Sequence, residues 1–117
     1  MAENQMSKLD DRALQYVANY FKALAEPMRL KVLNALQDGE KNVGQLTEIS
    51  GGSQANVSKH LSLLAQCGLV KRESRGTSVF YSISDPSVYA LCELVCGQIG
   101  NSMALEADIK KVFTTLQ

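Results

Sequence analysis

The chain has 117 residues, 45% hydrophobic and 21% charged, with 12 basic and 12 acidic side chains and a formal net charge of zero. This is the length of one domain and the composition of a compact globular fold, not of a disordered or fibrous one. The longest uninterrupted apolar run, Val88 to Cys92, falls far short of the ~20 residues that span a bilayer, and Glu3, Lys8, Asp10, Asp11 and Arg12 leave no apolar core for a signal peptide. Neither a membrane-inserted nor a secreted protein is expected. A cytoplasmic setting is expected, in which three cysteines, an odd number, stay reduced.

In chain order, Leu14, Val17, Phe21 and Leu24 recur at helical spacing and predict an amphipathic helix from about Leu9 to Ala25. Pro27 ends it and suits the first turn of a second helix with a core of Leu30, Leu33 and Leu36, closed by Gly39 as a left-handed cap. Asn42 and Gln45 have the spacing of a capping box, opening a short third helix with Val43, Leu46 and Ile49 on its apolar side. After Gly51-Gly52, Ser53 caps a fourth helix, buried through Val57, Leu61 and Leu64 and ended by Gly68. Two short antiparallel strands follow, Leu69–Ser74 and Ser78–Ser84, joined by a turn at Arg75-Gly76-Thr77. Asp85-Pro86 then opens a last helix with Val88, Leu91, Val95 and Ile99 on one stripe. Gly97 and Gly100 leave it either continuous or broken near residues 100–102.

The expected fold is therefore mainly α with a small β-hairpin: a single winged helix-turn-helix domain over 1–117. The helix-turn-helix spans about 42–67 and the wing 69–84, and the helices at 8–25 and 86–115 carry apolar stripes wider than a domain of this size needs for itself. The zero net charge hides a gradient that suits this reading. Residues 1–52 carry six basic and seven acidic side chains and residues 85–117 two and four, but residues 53–84 carry Lys59, Lys71, Arg72 and Arg75 against Glu73 alone. Short polar and cationic side chains reach base edges and phosphates in a major groove. The fourth helix offers Ser53, Gln54, Asn56, Ser58 and Lys59, with His60 and Ser62 at the margin, and the wing offers Arg72, Arg75, Gly76 and Thr77. The alternatives on pattern alone are an ordinary solvated helix face, or a winged helix that binds proteins. An enzyme is not expected, because the single histidine, His60, has no nucleophile and acid arranged with it.

The run Ala23-Leu24-Ala25-Glu26-Pro27-Met28-Arg29-Leu30-Lys31-Val32-Leu33 resembles the entry segment of the ArsR/SmtB family of bacterial winged-helix repressors. So do Gln54-Ala55-Asn56-Val57-Ser58-Lys59-His60-Leu61, Gly68-Leu69-Val70, and Arg75-Gly76 followed by Val79-Phe80-Tyr81. The likeness covers about residues 14–95. It implies a homodimer built from the first and last helices that binds double-stranded DNA at an inverted-repeat operator, leaves it when an inducer arrives, and needs no cofactor. Many metal sensors of the family carry Cys-x-Cys in the first helix of the helix-turn-helix, where this chain reads Val43-Gly44-Gln45-Leu46-Thr47; zinc and nickel sensors use Asp and His on the last helix, which here has no histidine.

What remains is Cys92 and Cys96, one turn apart on the last helix. Residues at i and i+4 stand ~5–6 Å apart at Cβ, wider than the ~3.5–4.5 Å of a disulfide, so direct oxidation would strain the helix. A soft ion such as As(III) or Sb(III), or a short sulfur chain, bridges the wider gap, and thiolates favour soft ions. A thiol-directed inducer, metalloid or persulfide and oxidant, is thus one reading of the pair. The other is that both are small buried packing residues with no sensing role. Cys67, at the end of the fourth helix, joins the pair as a ligand only if the fold or the dimer brings it near.

Overall fold

The computed structural model describes residues 5–102 and 105–114. One compact unit ends at Ser84 and a second begins at Asp85.

In the first unit, helix α1 spans Asp11–Leu24, capped by Asp10, whose carboxylate accepts the Ala13 N–H at 2.8 Å. Helix α2 spans Pro27–Ala35, with Pro27 in its first turn and the Glu26 carboxylate accepting the Met28 N–H at 3.0 Å. Its buried residues are Val32 and Leu33, followed by Leu36 in a 3₁₀ turn over Leu36–Asp38. Leu30 is exposed, contrary to the expected core. A spacing of three falls short of the 3.6-residue turn, so Leu30 and Leu36 drift about 120° apart. Gly39 does close this turn, its N–H on the Leu36 carbonyl, but not in the αL form: φ 136°, ψ 175° is positive-φ backbone that residues with side chains rarely adopt.

Strand β1, Lys41–Asn42, leads directly into helix α3, Val43–Ser50. The capping box is complete: the Asn42 side-chain oxygen Oδ1 accepts the Gln45 backbone N–H at 2.8 Å and the Gln45 side chain accepts the Asn42 backbone N–H at 2.9 Å. Asn42→Ala should therefore lower unfolding free energy by about 1 kcal/mol, readable as a lower urea midpoint at unchanged m-value. Leu46 and Ser50, four apart, are buried while Ile49 is exposed, the same drift that displaced Leu30.

Helix α4, Gln54–Gln66, is capped by Ser53, and Val57, Leu61 and Leu64 on its inner side are wholly buried. It packs on α2 and α3. It ends in a Schellman turn, with Leu69 N–H on the Leu64 carbonyl (3.0 Å), Gly68 N–H on the Ala65 carbonyl (3.1 Å) and Gly68 left-handed at φ 76°. Strands β2, Val70–Arg75, and β3, Ser78–Ile83, pair antiparallel from Arg75↔Ser78 to Val70↔Ile83. The turn between them is Gly76-Thr77, with Gly76 at φ 61° as a type II′ hairpin requires. β1 adds to the far edge of β3, giving the order β1-β3-β2.

In the second unit, helix α5 spans Ser87–Gly100, and its first turn is held by the Asp85 carboxylate accepting the Ser87 N–H at 2.9 Å. The last helix is broken, one of the two expected forms. α5 ends at Gly100, and helix α6, Ala107–Thr114, packs on it. Residues 103, 104 and 115 of the expected 86–115 segment lie outside the described residues.

Candidate nucleic-acid interface

Helix α4 separates two faces. The side of Val57, Leu61 and Leu64 is buried, while Gln54, Asn56, Lys59 and Ser62 are exposed and Ser58 is half-buried. Ser53 is exposed, but its hydroxyl already accepts the Asn56 N–H at 3.2 Å. Gln54 and Asn56, in the first helical turn, and Lys59 beyond it therefore hold free polar groups on this face.

His60, expected on that face, is turned inward. Its side chain is 14% exposed, with Nδ1 3.1 Å from Arg29 Nη1 and Nε2 3.8 Å from the Glu26 carboxylate. Both ring nitrogens face α2, so the imidazole is not presented with Gln54 and Asn56. The partner lies 31 residues away, and nothing local in the sequence signals it.

The wing carries a second surprise. Arg72 is exposed and reaches only the Ser74 hydroxyl, at 3.4 Å, and Thr77 and Gly76 are exposed at the tip. Arg75, by contrast, folds back over the Phe80 ring, 4.7 Å from its centroid. It donates to both oxygens of Glu40 (2.6 and 2.9 Å) and to Glu73 (2.8 Å). The paired carboxylates push the Arg75 guanidinium further up, and its hydrogen bonds hold the Glu40 carboxyl below the usual range. The expected local excess of three positive charges treated Arg75 as free, because Glu40 lies outside the segment 53–84. Lys71 belongs with Glu73 and Arg75 on one side of β2, while Arg72 alternates to the other.

The three cysteines are free thiols, each half-buried. Cys67 ends α4, and Cys92 and Cys96 lie on α5. Burial, then the neighbouring Cys96, pushes the Cys92 thiol up. Among the described residues no group of three or more His, Cys, Asp or Glu side chains is arranged to hold a metal ion, and no helix is long and apolar enough to cross a membrane.

Three helices, a polar-faced second helix of the helix-turn-helix and a glycine-turned hairpin define a winged helix-turn-helix DNA-binding protein. The sequence model of the arsR family of bacterial regulatory proteins matches residues 26–72. A "Probable mercury resistance operon repressor" of Streptomyces lividans is 41% identical over 90 residues, 76% of this chain and 72% of that one. The "Arsenical resistance operon repressor" of Bacillus subtilis is 35% identical over 94 residues, 78% of this chain and 90% of that one. The solution structure of the homodimeric winged helix-turn-helix DNA-binding domain (fragment 1–100) of Mb0332 from Mycobacterium bovis superimposes with a TM-score of 0.69 at 28% identity, covering 84% of this chain and 97% of that one. The chain belongs to the arsR family and is a DNA-binding transcriptional repressor, not an enzyme.

Proposed function

We propose that the chain acts in the cytoplasm as one domain and a homodimer, with α4 of each copy in the major groove of an inverted-repeat operator, and that a thiol-directed inducer captured by Cys92 and Cys96 releases it. The observation that carries the DNA-binding part is the two-sided α4, whose outward side holds Gln54, Asn56 and Lys59 free of other partners while its inner side is sealed. Ser53, Ser58, Arg72, Gly76 and Thr77 complete the contact surface. Pairing is supported by large apolar side chains left in the open: Leu14 and Phe21 on α1, Leu94 and Val95 on α5. Phe21 and Leu94 are 49% and 75% exposed, a state that a second copy would relieve. Two recognition helices in such a dimer meet half-sites about one DNA turn, ~34–36 Å, apart.

The inducer reading rests on two free thiols one helical turn apart, at the spacing a soft ion bridges. Relatives named for mercury and arsenical resistance favour a soft ion of the arsenite or antimonite type over persulfide or oxidant. The half-burial of both thiols favours a second reading, in which they pack α5 and sense nothing.

Base contacts and phosphate contacts separate in one titration. Gln54→Ala and Asn56→Ala should each reduce the preference for a selected duplex over random DNA by about 5- to 150-fold per half-site, as loss of ~1–3 kcal/mol of base discrimination in each half-site requires, with the salt slope unchanged. Fluorescence anisotropy against both duplexes reads this. An unchanged preference in both variants would displace α4 from the groove.

A further inference from the structure

Three ties converge on Arg29, in the first turn of α2. Its Nε donates to the Ala23 carbonyl at 2.6 Å and its Nη2 to the Lys22 carbonyl at 3.1 Å. Both carbonyls lie in the last turn of α1, the negative end of its dipole. The third tie, Nη1 to His60 Nδ1 at 3.1 Å, crosses to α4. A guanidinium has donors only, so His60 Nδ1 must accept, and the ring carries its proton on Nε2. That nitrogen faces the Glu26 carboxylate at 3.8 Å, beyond hydrogen-bond range, and Glu26 itself is committed to capping α2. His60 stands on the flank of α4, one position after the exposed Lys59 and one before the buried Leu61. One planar group thus grips the end of α1, the start of α2 and the middle of α4 at once.

We propose that Arg29 is a positioning residue for DNA recognition: through His60 it sets the orientation of α4 against the end of α1. The proposal rests on the reading of α4 as the recognition helix. A rigid fork is needed because three acceptors from two other helices must be met in fixed directions, and a lysine is a single point donor on a flexible stem. Displacing α4 by part of an ångström takes Gln54 and Asn56 off their base edges but leaves Lys59 within reach of a phosphate. Loss of Arg29 should therefore reduce specific binding and spare non-specific binding. Any displacement of α1 in the dimer would reach α4 by the same route.

The test uses the full chain and a duplex selected by the wild-type protein from a random pool, with a random duplex beside it. Arg29→Lys and His60→Leu should each lower affinity for the selected duplex about tenfold, and the double variant should be no worse than either single one, because both remove one coupling. Random-duplex affinity and the salt slope should stay at wild-type values. His60→Asn, whose amide oxygen stands near the place of Nδ1, should recover most of the loss, as a merely apolar packing role would not. Thermal melts confirm that each variant is folded at the assay temperature; if Arg29→Lys is not, the comparison of His60→Asn with His60→Leu decides. The proposal is overturned if Arg29→Lys binds the selected duplex like wild type while His60→Leu does not, since His60 then acts on DNA directly. Equal defects in His60→Asn and His60→Leu, or a loss of the same size on random DNA, overturn it too. A wild-type protein that selects no duplex would instead remove the DNA-recognition reading of α4 itself.

Discussion

With Cys92 and Cys96 both replaced by serine, arsenite should no longer release the protein from its duplex, while the untreated variant binds within about twofold of the parent, as a near-isosteric change outside α4 and the wing should. The expectation follows from the bonds exchanged. Arsenite carries three As–O bonds; each thiol that attacks gives its proton to a departing oxygen, which leaves as water. Two As–O bonds are exchanged for two As–S bonds, and the third oxygen stays. Cys92 and Cys96 supply both sulfurs from one face of α5, ~5–6 Å apart at Cβ, a span one ion covers. Either single serine leaves one As–S bond and no bridge, so each single variant should fail as the double does. A bridge that alters how two copies pair shifts operator affinity by a coupling of ~1–3 kcal/mol, about 5- to 150-fold, and this is the release that should vanish. Cys67→Ser should keep it. Normal release by the double variant would return both thiols to packing.

The rate of capture adds a second reading of the same pair. The thiolate, not the thiol, attacks. Burial and then Cys96 hold the Cys92 proton on to higher pH than an ordinary cysteine. The thiolate fraction at neutral pH is correspondingly smaller, so iodoacetamide labelling of Cys92 should accelerate as pH rises through and above the ordinary thiol range. Cys96→Ser removes the second cause, which acts only when Cys96 is itself a thiolate, and should speed that labelling at alkaline pH. Mass-spectrometric labelling time courses at several pH values measure both effects.

What was legible in the sequence is what neighbours decide among themselves. The Asn42–Gln45 capping box, the Ser53 cap, the Gly68 Schellman turn and the Gly76 hairpin turn each close within five residues, and each formed as its local pattern predicts. The buried stripe Val57, Leu61, Leu64 was legible because its spacing of four and three follows the true helical turn. The strict threes at Leu30, Leu33, Leu36 and at Val43, Leu46, Ile49 do not, and in each an end residue came out exposed. β1, at two residues, is too short to show a period and exists because β3 offers it an edge. The site followed the same rule. Lys59 and Asn56 are where the helical pattern puts them, whereas His60 and Arg75 depart from it because their partners, Arg29 and Glu40, lie 31 and 35 residues away.

The pairing of Arg75 with Glu40 and Glu73 has a measurable consequence for DNA affinity. Removing one cation that meets a phosphate should flatten the salt dependence by about 0.9 in log–log slope, and each substitution removes two such cations from a homodimer. Lys59→Gln with Arg72→Gln should therefore flatten it by about 3.6, and at ~0.1 M salt weaken binding to specific and random DNA alike by roughly three decades. Both side chains are exposed, and among the described residues Lys59 engages no other group and Arg72 only a long hydroxyl contact, so both are free to meet phosphate. Arg75 is not, because its charge is already answered by Glu40 and Glu73. Arg75→Gln should consequently change the slope by less than half as much as Lys59→Gln. Glu40→Gln with Glu73→Gln should do the reverse: it releases the guanidinium and steepens the slope by up to about 1.8 per dimer. Anisotropy titrations of one random duplex from roughly 50 to 200 mM salt, where such slopes are large, read all four variants together. Equal flattening by Arg75→Gln and Lys59→Gln would mean that phosphate displaces the two carboxylates when DNA arrives, and that the wing holds its arginine in reserve rather than out of play.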